Sequence, residues 1–184
     1  MDKTAHSVIR RTFLIEGLPE PLTPASSHLQ LFDNYIANTR MRIRNIRVPE
    51  TKERRHILQQ VSPAGQGGIV RFSEIYLNDE EYAVFERFEG REIRINRYFH
   101  EFDGREFTFD VYLGGLWGLT EAKVDFRSSD EAEGFDPPPF AVFEVTSDDF
   151  FMGANLVDKK FEDLRQRLGE IEREIVSPQI TADE

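Results

Sequence analysis

Apolar and polar residues alternate with a period of two through much of this chain. In Phe107-Thr108-Phe109-Asp110-Val111-Tyr112 the residues Thr108 and Asp110 share one face, and in Glu121-Ala122-Lys123-Val124-Asp125-Phe126 the residues Glu121, Lys123 and Asp125 do. Phe143-Glu144-Val145-Thr146 likewise sets Glu144 beside Thr146. A strand sends successive side chains to opposite faces, so each run reads as a strand with one polar and one apolar side. The pattern predicts strands over 7–15, 39–47, 55–61, 69–77, 91–99, 106–113, 119–127 and 141–146. Helices are fewer. Asn78 with Glu81 is a capping box that opens a helix through Phe88, and Ser128 with Glu131 repeats the logic near 129–134. Another helix is expected over 27–38. Val157, Phe161, Leu164, Leu168, Ile171 and Ile175 recur at 4-3-4-3-4 spacing, one apolar stripe of a long helix over 153–175.

Two architectures satisfy strands that are polar on one side. An open sheet turns its polar face to water. A closed barrel keeps the polar face inside and covers the outside with helices, and about eight strands suffice to enclose a small ligand. The polar faces here are chemically rich. Arg40-Met41-Arg42-Ile43-Arg44 alternates cation with apolar residue, and Val8-Ile9-Arg10-Arg11-Thr12-Phe13 is a second strand with arginines. The chain as a whole is acidic, with a formal net charge of −11. Arginines concentrated within an acidic protein point to an anion site, since the guanidinium fork matches carboxylate and phosphate oxygens. The plainer alternative is a solvated face paired with nearby carboxylates. The same acidity argues against nucleic acid as a partner, which calls for a basic surface.

At 184 residues, 16 of them Phe, the chain is long enough for one domain with a sizeable core. That domain is expected over 1–176, with a disordered tail over 177–184. There are no cysteines, which excludes disulfides and thiolate chemistry. The first residues lack the apolar run of a signal peptide, and no stretch approaches the roughly 20 apolar residues of a membrane span, so a cytoplasmic protein with no membrane partner is expected. His6, His28, His56 and His100 have no metal-ligand spacing. Trp117 in Gly114-Gly115-Leu116-Trp117-Gly118 reads as a loop anchor, and Gly65-Gln66-Gly67-Gly68 lacks the lysine of a phosphate loop.

Arg42-Ile43-Arg44, Arg97, Asp110-Val111-Tyr112, Glu121 to Phe126, Pro137-Pro138-Pro139-Phe140 and Glu144-Val145-Thr146 follow one another in an order that resembles the CYTH superfamily, the triphosphate tunnel metalloenzymes. These include tripolyphosphatases, thiamine triphosphatases and class IV adenylate cyclases. The resemblance covers roughly 7–157. It implies an α+β fold: an eight-stranded antiparallel closed barrel with helices outside and a long C-terminal helix. It further implies inward cations that bind a triphosphate, a nucleotide or polyphosphate, and inward carboxylates that hold Mg²⁺ or Mn²⁺. Hard divalent cations do take carboxylate oxygens, and phosphoryl transfer needs positioning and charge neutralisation above all.

The sequence departs from that pattern where the chemistry sits. The family's first-strand Glu-x-Glu-x-Lys becomes Val8, Arg10 and Thr12, and the late Glu-x-Glu becomes Lys123 and Asp125. A lysine expected after Leu58 is replaced by Gln60 or Val61, and another by Ile95. On strand 91–99, alternation favours Arg94 and Asn96 on the polar face, whereas the family register turns Arg97 inward. A bulge would reconcile the two. The resemblance therefore leaves Arg10, Arg42, Arg44, Arg97 and Lys123 as ligand-binding candidates and Asp110, Asp125 and Glu144 as metal ligands, with Glu144 and Asp125 catalytic if Mg²⁺ or Mn²⁺ is bound. Exchanging two acids for Arg10 and Lys123 is expected to impair metal-dependent hydrolysis while sparing anion binding, because a fixed cation does not activate water as a divalent metal does. An active triphosphatase is one alternative. A structural module, its tunnel filled by its own salt bridges or its C-terminal helix forming a homodimer, is the other.

Overall fold

A computed structural model of the protein describes residues 3–65 and 68–176. The expected tail at 177–184 and the Gln66-Gly67 part of the glycine connector lie outside the described residues. The chain runs β1 (Lys3–Leu14), β2 (Leu29–Ile36), β3 (Met41–Arg47), β4 (Arg54–Gly65), β5 (Ile69–Leu77), α1 (Asp79–Phe85), β6 (Gly90–Phe102), β7 (Arg105–Tyr112), β8 (Thr120–Phe126), α2 (Ser129–Glu133), β9 (Phe143–Glu144), α3 (Gly153–Leu156) and α4 (Phe161–Val176). Strands pair antiparallel in the order β5-β4-β3-β2-β6-β7-β8-β1, and a further β1–β5 pairing closes them into an eight-stranded barrel. The long β1 makes closure possible: Lys3–Ile9 pairs with β5 while Ile9–Leu14 pairs with β8. No helix among the described residues is long and apolar enough to cross a membrane.

Three sequence expectations change. The helix over 27–38 is strand β2. Leu29, Leu31, Asp33 and Tyr35 alternate inward, but the charge at Asp33 breaks the apolar run and disguises the period of two. The strand over 141–146 shrinks to the two-residue β9, which adds to β1 and is not a barrel stave. The single helix over 153–175 divides into α3 and α4. Asp163 accepts a hydrogen bond from the Lys160 backbone N–H at 2.8 Å and starts the second helix afresh. The capping box at Asn78 and the Ser128 cap form as their residues dictate.

Apolar side chains pack in three clusters. One joins Leu31, Ile93, Ile95 and Tyr112 to Leu116, Leu156, Leu164 and Ile171. The C-terminal stripe thus packs on its own barrel, leaving Phe161 and Ile175 exposed. The second stacks Phe107, Phe109, Phe126 and Phe13 under Phe135 and Phe140, so the proline-rich connector lies over barrel aromatics. The third sets Tyr82 and Phe85 of α1 against Ile43, Leu58 and Leu77. The second and third clusters lie on the outside of the barrel, whereas the first is built from inward-facing Leu31, Ile93, Ile95 and Tyr112, and the polar side chains of the strands turn inward beside it.

Candidate functional site

The inward faces enclose a cavity of about 460 Å³, within the ~300–1,000 Å³ of small-molecule sites. Six cations (Arg10, Arg40, Arg42, Arg44, Arg97, Lys123) and six carboxylates (Asp33, Glu74, Asp110, Glu121, Asp125, Asp148) line it, so it is formally neutral.

Register decides which of these meet. On β2, Asp33 lies across from Arg44 and next to Arg42. It is 1% exposed, accepts from Arg44 Nε and Nη2 at 2.6 Å each, and accepts from Arg42 Nη1 at 3.0 Å. Burial alone would raise the Asp33 pKa; the two guanidiniums outweigh it and hold the carboxyl below its ordinary value. Arg42 also donates to Gln59 Oε1 at 2.7 Å and Tyr35 Oη at 2.8 Å, and Gln59 in turn donates to Glu74.

On the neighbouring strands β6 and β7, Arg97 faces Asp110 directly. Asp110 is fully buried and accepts from Arg97 Nε at 2.6 Å and Nη2 at 2.7 Å, and from Lys123 Nζ at 2.7 Å. Burial would raise its pKa, but the charges of Arg97 and Lys123 drive it far below the usual carboxylate range. Lys123 also sits 2.7 Å from Glu121 Oε2, which takes the Tyr112 hydroxyl at 2.8 Å. Burial, followed by the charges of Glu121 and Asp110, pushes the Tyr112 pKa well up, so its proton stays. Glu121 Oε1 is buried without a partner. Nearer the surface, Arg10 grips Asp125 at 2.6 and 2.8 Å.

Arg10, Arg42, Arg44, Arg97, Lys123, Asp110 and Asp125 thus all line the cavity. Glu144 does not join them. It accepts from Arg11 Nε at 2.9 Å and Nη2 at 2.6 Å, and from the Thr146 hydroxyl at 2.6 Å, on the other face of β1. β6 needs no bulge: Ile93, Ile95 and Arg97 point inward in unbroken register while Arg94 turns out. Alternation misled there because two inward residues are apolar. Of the two residues read in place of the lysine after Leu58, Val61 faces the cavity and Gln60 faces out; Gln59, also inward, faces Arg42. Asp33, Gln59, Tyr35 and Tyr112 escaped the sequence reading; Asp33 was hidden by the helix assigned to its segment.

The donor set does not suit Mg²⁺ or Mn²⁺. Asp110 is held by Arg97 and Lys123, Asp125 by Arg10 and Glu144 by Arg11, and no group of three metal-ligating side chains assembles among the described residues. A divalent ion would have to displace partly buried cations that lie within hydrogen-bonding distance of the same oxygens.

No family model matches the chain. A 61-residue stretch, 33% of the chain, is 43% identical to an inorganic triphosphatase of Nitrosomonas europaea, and it spans 40% of that protein's length. Two crystal structures share the fold. One, described as a hypothetical protein, superposes with a TM-score of 0.57 at 24% identity, covering 83% of this chain and 99% of that one. The other, described as an inorganic triphosphatase, superposes with a TM-score of 0.56 at 22% identity, covering 82% of this chain and 97% of that one.

Proposed function

We propose, for a chain that carries the tunnel barrel of the CYTH superfamily, that the cavity binds a phosphorylated small molecule and has lost metal-dependent phosphoanhydride hydrolysis. One observation carries the binding half. Arg10, Arg42, Arg44 and Arg97 each commit Nε and one Nη to protein acceptors, while the other Nη of each has no acceptor among the described residues. Guanidiniums oriented by acids, with a free N–H₂ edge toward a cavity, are preorganised phosphate donors. The hydrolytic half fails on its acids. Asp110 and Asp125 neutralise arginines, and Glu144 is turned away with Arg11.

Roles follow from position. Arg42, Arg44 and Arg97 hold the anion from the two strands that flank β2, and Arg10 and Lys123 supply fixed positive charge. Asp33, Asp110 and Glu121 orient these cations, and Tyr112 keeps its proton as a neutral donor. A thermal-shift screen with tripolyphosphate, nucleotides and thiamine triphosphate, each with and without Mg²⁺ or Mn²⁺, tests the proposal. Stabilisation by a phosphorylated compound, lost in Arg42→Ala and indifferent to metal, supports it; no stabilisation by any compound rejects it.

The second reading is an active triphosphatase, favoured by the 43% identity over 61 residues to a protein of that name. Phosphate release from tripolyphosphate or ATP with Mg²⁺ or Mn²⁺ above a protein-free blank would establish it and overturn the loss of hydrolysis. For the third, a homodimer through the C-terminal helix, the apolar stripe of α4 is already spent on its own barrel through Leu164 and Ile171.

A further inference from the structure

We infer that the tunnel takes an organic phosphate of low charge carrying a flat apolar body, in preference to a compact inorganic polyanion; this rests on the anion-binding reading above and narrows its ligand. Val8, Val61, Val70 and Phe72 line one wall of the cavity. They are neighbours by register, with Val8 opposite Val70 across β1 and β5, and Val61 opposite Phe72 across β4 and β5. None belongs to the three packed clusters or lies against them. Half-buried apolar groups outside the packed clusters, turned into a cavity, gain free energy when a ligand covers them. The Phe72 ring is already flanked as an aromatic ligand would require. The His6 ring stacks on it at 5.1 Å with planes 22° apart, and the Arg10 guanidinium lies 5.7 Å from its centroid.

Charge makes the same distinction. A compact polyphosphate brings several negative charges and no apolar surface. In a cavity where six cations face six carboxylates, most of that charge would be desolvated without compensation. A phosphate monoester brings far less. Arg40 makes no ion pair among the described residues, and it follows the Met41–Gln60 pair just as Val61 does on the facing strand, so a free cation borders the apolar wall. An ester with its phosphate at Arg40 and Arg42 lays its body over Phe72 and the valines.

Calorimetric titration of the full chain with 2-naphthyl phosphate, tripolyphosphate and 2-naphthol tests this. The expected order is 2-naphthyl phosphate tighter than either other compound by about tenfold or more. Phe72→Ser should cut its preference over tripolyphosphate at least about fivefold. Val70→Thr, nearly isosteric, makes the same test should the serine variant not fold, and Arg40→Gln should weaken the ester. Tripolyphosphate binding tighter than the ester, or an unchanged preference in the wall variants, overturns the inference and leaves anion binding standing. Equal binding of naphthol and its phosphate removes the anionic head from the site. If neither phosphate binds, the anion reading fails and this inference with it.

Discussion

Asp110→Asn probes the most deeply committed charge of the tunnel. The carboxylate is fully buried and accepts three hydrogen bonds from two cations at 2.6, 2.7 and 2.7 Å. Asparagine keeps the shape but removes the charge and turns an N–H₂ toward Arg97 or Lys123. Breaking a buried pair by removing one partner costs about 3–5 kcal/mol; here Arg97 loses its carboxylate while Lys123 keeps Glu121. For a chain of this length that corresponds to a fall in Tm of roughly 6–20 °C. Urea unfolding at pH 7 measures it, and the pH profile separates charge from packing. Asp110 titrates in the folded protein far below its unfolded value of about 4. Its stabilisation is therefore full above about pH 5 and shrinks below about pH 4, where the unfolded chain takes up the proton first, vanishing only as pH falls through the folded value. The gap between wild type and variant should narrow from pH 7 to pH 3. A variant within about 1 kcal/mol of wild type at pH 7, or a gap independent of pH, refutes the claim that this ion cluster holds the barrel wall.

Arg44→Gln leaves Asp33 with Arg42 alone and should lower stability by about 3 kcal/mol in the same assay. Arg42→Ala should remove ligand-induced thermal stabilisation, the property for which its free Nη is proposed. Arg10→Glu combined with Lys123→Glu frees Asp125 from Arg10 and leaves Asp110 with Arg97 alone, and Mn²⁺ should then raise Tm by several degrees where it leaves wild type unchanged. His56 is buried with Nδ1 unpartnered, and burial lowers its pKa despite Asp79. Stability should thus fall as pH drops below the unfolded histidine value of about 6.5, and His56→Phe should flatten the profile between pH 7 and 5.

The strands were legible because alternation in β7 and β8 is nearly unbroken, and the caps because Asn78 and Ser128 act through local hydrogen bonds. Legibility failed where burial and polarity part company. Asp33 is charged yet sits among the most buried side chains, so β2 lost its apolar period and read as a helix. Ile93 and Ile95 are apolar yet face the cavity, so β6 showed its polar face on the outside. The eight-stave count came out right because β2 supplied the stave that 141–146 does not. Which acid meets which base was beyond reach, since it depends on register between segments far apart in sequence.

That register explains why Arg10 and Lys123 act together. Arg10 stands directly opposite Asp125, while Lys123 lies diagonally from Asp110 and two residues along its own strand from Glu121. A cation placed at either position lands within reach of an acid that the family pattern would leave free for a metal. The resulting pairs are short and in part buried, so the acids become structural counter-ions. Restoring one acid alone would leave the other cation holding its partner. It would also place a new carboxylate against an old one with no ion between them, which like-charge repulsion penalises. Metal binding at these acids would therefore require changes at both positions. The same coupling links the two proposals: in a neutral tunnel, weak metal affinity and a ligand of low charge would be one electrostatic consequence.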